Sequence, residues 1–154
     1  MYAQQDAYDE LCYYTLSHRD SSFIHQHVVD AFAAQTADEN VKPIKLTFAL
    51  VGLYLHVECQ YSGRQVQLVQ MKLGQEKQQW PAFVIPIERG AITATNVMAA
   101  PAGVQRDELI HQWCVSVWKA FSENRQVVSS LLSKHKIIRM GRSLTPTGHK
   151  SAFS

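Results

Sequence analysis

Residues 44–58 place the strongest constraint on the fold, because they read as a helix that is apolar nearly all round. Such a helix normally forms the buried centre of a domain. Pro43 suits its first turn. Gly52 stands in its middle, where a glycine costs about 1 kcal/mol relative to alanine. We therefore expect a second helix to pack closely against Gly52, and the rest of the chain to supply helices that cover this segment.

Helical periodicity continues through most of the remaining sequence, since apolar residues recur at the i, i+3, i+4 spacing of amphipathic helices. Capping residues set the expected helix starts. The predicted helices are one over 7–18 capped by Asp6, one from Ser21 or Ser22 to about Asp38, one from a Ser62–Gln65 capping box over about 64–79, a short one over 94–99 capped by Thr93, and a long final one over about 104–134.

Residues 80–92 interrupt this pattern, because Pro81 and Pro86 oppose a helix and Arg89-Gly90 marks a turn. The sequence contains no convincing strand. We therefore predict an all-α domain over residues 1–134, built as an up-and-down bundle of four main helices plus a short helix and an irregular 80–92 crossover. Residues 135–154 are predicted to form a basic, flexible tail.

Composition fits one globular domain, with 154 residues of which 46% are hydrophobic and 18% charged. No apolar run reaches the ~20 residues of a membrane span. The first residues carry no signal-peptide pattern, so a cytoplasmic location is expected. The three cysteines stand singly, which argues against a disulfide framework.

The formal net charge of +2 is unevenly placed, because the chain from Lys134 onward holds five basic residues and no acidic one. Two interpretations of this basic end stay open. It is either a solvated chain end or a contact for nucleic acid or an acidic partner. Nucleic-acid binding is not expected elsewhere in the chain.

Four polar residues on the predicted helices are candidate metal ligands: Cys12, His25, Asp30 and His56. In an antiparallel bundle His25 and His56 lie roughly 5 Å from the same end, with Cys12 and Asp30 one to two turns deeper. Imidazoles with a carboxylate or thiolate bind zinc, nickel, iron or copper. Alternatively, these side chains only form hydrogen bonds within the bundle. His25 and His27 are two residues apart, so only one of them can face inward.

The leading functional hypothesis is a bundle protein that binds a divalent metal or a small molecule in this pocket. If it is catalytic, the metal acts as a Lewis acid or activates a bound water or thiol, but the sequence does not decide whether the protein is an enzyme. The alternative is a non-enzymatic interaction protein, a homodimer or an adaptor for a partner, that uses 80–92 and the tryptophan helix. No phosphate-binding loop or dinucleotide fingerprint is present, so no other cofactor is expected.

Three motifs carry a resemblance to a known family: His25-x(4)-Asp30-Ala-Phe-x-x-Gln35, Trp80-Pro-x(4)-Pro86 leading to Arg89-Gly-Ala-Ile-Thr93, and Trp113-Cys-x-Ser-Val-Trp118. Over about residues 8–132 the chain resembles small bacterial helical proteins known only as a domain of unknown function. Its segment from Thr93 to Ala100, before a long helix with tryptophans, is more faintly similar to the DNA-damage-inducible bundle family. That likeness implies a divalent metal held by histidines and a thiol-dependent transferase activity.

Overall fold

The computed structural model describes residues 2–18 and 20–138, and every regular element in these ranges is helical. The prediction of an all-α protein is confirmed, whereas the up-and-down order of four main helices stays a prediction. Residues 139–154 of the predicted tail lie outside the described ranges. The elements are α1 (Tyr2–Ser17), α2 (His25–Gln35), α3 (Pro43–Cys59), α4 (Gly63–Gly74), α5 (Ala94–Ala99), α6 (Val104–Ala120), a 3-10 turn (Ser122–Asn124) and α7 (Arg125–Lys134).

Helix α3 forms the centre of the molecule, as its apolar sequence predicts, and every residue from Ala49 to Leu55 is buried. Helix α2 packs along α3 and also contacts α1, α4 and α6. The close contact expected at Gly52 is confirmed, because a Cβ atom there would lie 1.9 Å from Oδ2 of Asp30 on α2. Within the described ranges, no helix is both long and apolar enough to cross a membrane.

The first two helices begin and end at other residues than the sequence pattern predicts. Helix α1 already begins at Tyr2, so the prediction that Asp6 caps it is wrong. Helix α2 begins at His25 rather than at Ser21 or Ser22, because Phe23 adopts a left-handed backbone conformation with φ 58°. The Asp20 carboxylate accepts the Ile24 amide here, at 3.0 Å. Helix α2 then ends at Gln35, before Asp38.

The predicted starts of α4 and α5 are both confirmed. Ser62 Oγ accepts the Gln65 amide at 3.2 Å, and the Gln65 side chain accepts the Ser62 amide at 2.8 Å. Thr93 and Asn96 form the same reciprocal capping box at the start of α5. Helix α4 is shorter than predicted and ends at Gly74.

The prediction of a single helix over 104–134 is wrong, because a 3-10 turn that ends at Asn124 separates α6 from α7. The buried Asn124 side chain accepts the Val84 amide at 2.7 Å and donates to the Val84 carbonyl at 2.8 Å. It also donates to the Phe121 carbonyl at 3.2 Å. These hydrogen bonds satisfy the backbone N–H and C=O of Val84 in the crossover and hold residues 80–92 against the helices.

The crossover is irregular as predicted, and Gln35 ties it to two helices. Gln35 Nε2 donates to the Arg89 carbonyl at 3.2 Å and the Ile92 carbonyl at 2.7 Å, while its Oε1 accepts the Trp113 indole N–H at 3.0 Å. Arg89 in turn donates to the Gln35 and Ala37 carbonyls. The three motifs behind the family resemblance therefore meet at one structural junction.

Replacing Gln35 with methionine is expected to lower the free energy of unfolding by about 2 kcal/mol. The variant leaves the Trp113 N–H and two crossover carbonyls without their partner. Urea denaturation followed by far-ultraviolet circular dichroism measures the loss. Gln126→Met is the matched control, because Gln126 is exposed on α7 and should change stability by less than about 0.5 kcal/mol. Equal effects of the two substitutions would contradict a bridging role for Gln35.

Candidate functional site

Three histidines from three helices meet side by side: His27 on α2, His56 on α3 and His111 on α6. We call this group the histidine cluster. The rings of His27 and His56 are stacked with centroids 3.5 Å apart and planes 21° apart. The His111 ring stands almost perpendicular to that of His56, with centroids 5.0 Å apart. His27 is buried, His56 is partly buried and His111 is exposed, so the cluster extends from the core to the surface.

Hydrogen bonds define which nitrogen of His56 carries the proton. Its Nδ1 lies 3.1 Å from the Tyr61 carbonyl oxygen and can only donate to it. Nε2 of His56 is therefore the acceptor, and it lies 3.1 Å from Nδ1 of His111, which donates. A backbone carbonyl thus fixes the His56 tautomer and directs a nitrogen lone pair toward His111.

His27 is the most buried member of the cluster, with 6% of its surface exposed. Its Nδ1 is buried and has no hydrogen-bond partner among the described residues. The Cys114 thiol donates to the His27 carbonyl at 3.6 Å, which fixes the backbone but leaves the ring nitrogen unsatisfied. A buried imidazole nitrogen without a partner is unfavourable, and a ligand or a bound ion would satisfy it.

Burial keeps the inner part of the cluster uncharged at neutral pH. It lowers the pKa of His27 to about 3, and the neighbouring imidazoles of His56 and His111 lower it further. Burial also lowers the pKa of His56 to about 4, against the opposing effect of the Tyr61 carbonyl. Both rings are therefore neutral near pH 7, the state in which imidazole binds metal ions.

Two of the four predicted ligands lie on the α1–α2 side of the molecule. His25 Nδ1 lies 2.9 Å from the Thr15 hydroxyl, and burial lowers its pKa. Cys12 is half-buried near Tyr8, where burial raises the pKa of the thiol. In the described part of the chain, neither side chain has a hydrogen bond or ring contact to a member of the histidine cluster.

The other two predicted ligands are also in separate surroundings. Asp30 is buried, and its Oδ1 accepts hydrogen bonds from Gln26 and Gln70, whereas His56 belongs to the histidine cluster. In the described part of the chain, no hydrogen bond or ring contact joins any two of the four predicted ligands. No three histidine, cysteine, aspartate or glutamate side chains among the described residues are already arranged around a position for a metal ion.

Sequence reasoning missed His27 and His111 as members of the site. Two signals could have identified them. His27 starts a row with Ala31 and Ala34, all three of which are buried. His111 lies three residues before Cys114, so that both face the same side of α6. Of the two histidines in this segment, the structure buries His27 and leaves His25 partly exposed.

The comparison with protein families adds an assignment but no activity. The profile of DUF5946, a family of unknown function, matches residues 5–122. The chain belongs to this family. The DUF5946 match spans all three histidines of the cluster and the Gln35 junction, and it ends before α7. No curated protein and no solved structure matches the chain. The resemblance to a domain of unknown function is thus confirmed, while the fainter likeness to the DNA-damage-inducible family stays a hypothesis.

Proposed function

We propose that this protein binds a divalent transition-metal ion at the histidine cluster. The observation that carries the proposal is the pair of ring nitrogens, His56 Nε2 and His111 Nδ1, 3.1 Å apart. Two nitrogen ligands at about 2.0–2.1 Å from a tetrahedral zinc ion are roughly 3.4 Å apart. A small outward movement of the exposed His111 ring therefore makes room for an ion in place of the shared proton.

The surroundings of His56 support the same proposal. Metal-binding histidines commonly donate their second ring N–H to a backbone carbonyl, which orients the ring. His56 makes this bond to Tyr61. Its lowered pKa also means that few protons compete with a metal ion near neutral pH.

Metal binding would complete the site rather than fill a preformed one. The His56–His111 hydrogen bond is replaced by two metal–nitrogen bonds, and the His111 proton moves to its exposed Nε2. His27, whose ring is stacked on His56 and whose Nδ1 has no partner in the described chain, supplies the third ligand after its ring turns. Water or a donor atom of a small molecule occupies the remaining position, as in open metal sites.

Isothermal titration of tag-free protein with zinc chloride tests this proposal. We expect one ion per chain, and affinity lowered about hundredfold in His56→Gln and in His111→Gln, because each removes a ligand. His18→Gln is the matched control, since His18 is exposed and bonds the Tyr14 carbonyl outside the cluster. Zinc affinity that neither cluster substitution alters would contradict the proposal.

Of the four ligands predicted from the sequence, only His56 enters this proposal. The alternative function, binding a second copy or another protein, is supported by fewer exposed side chains than the sequence predicts.

Trp113 and Trp118 of the tryptophan helix are buried, so their rings are not available to a partner. In 80–92, Ile87 is fully exposed and Val84 is 51% exposed. Because these two apolar side chains are exposed, we keep protein interaction as the second candidate.

A further inference from the structure

A buried acid at the centre of the molecule follows His27 by one turn of α2 but has no hydrogen bond to the histidine cluster among the described residues. Asp30 on α2 is only 3% exposed and packs against Gly52 of α3. Its Oδ1 accepts hydrogen bonds from Gln26 Nε2 at 3.0 Å and Gln70 Nε2 at 3.2 Å. Its Oδ2 has no hydrogen-bond partner among the described residues. An apolar or amide side chain would fill this place at a lower cost in stability, which favours a binding role for the carboxyl group.

The two glutamines that hold Asp30 also line a cleft on the surface. The cleft has a volume of about 460 Å³, and its lining includes Gln26, Phe48, Gln67, Gln70, Met71 and Gln75. Because both amide nitrogens donate to Asp30, the amide oxygens of Gln26 and Gln70 are the groups that can accept hydrogen bonds from a ligand. Neither oxygen accepts a hydrogen bond from a described residue. The cleft therefore brings amide acceptors together with the apolar side chains of Phe48 and Met71.

We propose that this cleft binds a primary alkylammonium ion, whose N–H groups donate to the amide oxygens of Gln26 and Gln70 while its alkyl chain lies against Phe48 and Met71. A hydrogen bond from each amide N–H to the Asp30 carboxylate strengthens the amide oxygen as an acceptor, because linked hydrogen bonds polarise one another. Asp30 thus supplies the countercharge through the glutamines without touching the ligand.

This arrangement links ligand binding to ionisation of Asp30. Burial raises the pKa of the Asp30 carboxyl well above its usual range, which favours the protonated form of the group. The titratable groups that face it are Tyr8 from α1 and Cys114 from α6; burial raises the pKa of both, and they stay neutral. Gly52 of α3 and Gln70 of α4 do not titrate. A bound cation therefore favours the carboxylate, and the Asp30 proton is released to solvent.

Calorimetric titration of the wild-type protein with n-butylammonium chloride tests the inference. A ligand of this size should bind with a Kd of about 1 mM. The Kd should fall as the pH rises, by up to about tenfold per pH unit, over the range in which folded Asp30 is still protonated and the amine is charged. Titrations in two buffers of different ionisation enthalpy measure the released proton. Absence of binding at about 10 mM ligand, or binding without proton release, would overturn the proposal.

Two controls separate this site from general cation binding. Tetramethylammonium carries the charge but has no N–H group, so it should bind at least about tenfold more weakly; equal binding would overturn the proposal. Asp30→Asn keeps the acceptor oxygen but cannot ionise, and it should abolish the pH dependence of n-butylammonium binding. Asp9→Asn, at an exposed acid on α1, should behave like the wild type. Unchanged pH dependence in folded Asp30→Asn protein would also overturn it.

Discussion

Replacing Gly52 with alanine is expected to lower the free energy of unfolding by about 3 kcal/mol. In most helix interiors the same change stabilises by about 1 kcal/mol. Here the new Cβ would lie 1.9 Å from Oδ2 and 2.6 Å from Cγ of Asp30. The Asp30 side chain cannot easily move aside, because it is buried and held by two glutamine amides. Urea denaturation measures the effect.

A double-mutant cycle assigns this destabilisation to the contact with Asp30. In an Asp30→Ala background the Cβ of residue 52 has room, so the Gly52→Ala penalty should fall below about 1 kcal/mol, a coupling of about 2 kcal/mol. Gly74→Ala is the control, because its Cβ would meet only the end of the Phe48 ring, at 3.3 Å. An equal penalty at position 52 in both backgrounds would show that another contact is responsible.

The free energy of unfolding is expected to depend on pH, because two kinds of buried group act on it in opposite directions. His27 and His56 have folded-state pKa values of about 3 and about 4, compared with about 6.5 when unfolded. Below about pH 6.5 the unfolded chain binds protons that the folded protein does not. Each histidine therefore lowers stability by about 1.4 kcal/mol for each unit of falling pH.

Asp30 has the opposite effect, because its folded-state pKa is raised above the usual value of about 3.9. Between these two pKa values the folded protein holds a proton that the unfolded chain has released, so stability falls as the pH rises. Between about pH 4 and pH 6.5 the two histidines outweigh Asp30. Above about pH 6.5 the histidines no longer contribute, and stability falls with rising pH as far as the raised pKa of Asp30 extends.

Urea denaturation across this pH range tests both effects with separate variants. Asp30→Asn should remove the loss of stability above about pH 6.5, and His27→Gln should reduce the slope below it by about 1.4 kcal/mol per unit. The exposed His18→Gln should leave the pH profile unchanged. Parallel profiles of the wild type and Asp30→Asn at alkaline pH would show that Asp30 is ionised in the folded state.

The parts of the fold that follow from local sequence were predictable. Ser62 and Gln65 cap α4 through reciprocal hydrogen bonds between side chain and backbone amide, and α3 is apolar nearly all round. Neither feature depends on residues far away in the sequence. The break at Asn124 was not predictable, because its cause is a bond to Val84, forty residues earlier in the chain. The start of α2 was missed because Phe23, which is not a glycine, adopts a left-handed backbone conformation that the sequence pattern does not indicate.

The candidate site was only partly predictable from the sequence. His56 was identified because an imidazole among buried aliphatic residues stands out in any helical pattern. His27 and His111 become neighbours of His56 only through the packing of α2 and α6 on α3, which spacing along the chain does not encode. Asp30 was identified as unusual, but its partners Gln26 and Gln70 read as ordinary surface glutamines.

The most direct test of metal binding is a crystal structure of the zinc-soaked protein with anomalous data collected on both sides of the zinc absorption edge. We expect an anomalous peak about 2.0–2.1 Å from both His56 Nε2 and His111 Nδ1, with the His27 ring turned toward it. A zinc peak only at other residues, with His56 and His111 still hydrogen-bonded to each other, would contradict the proposed metal site.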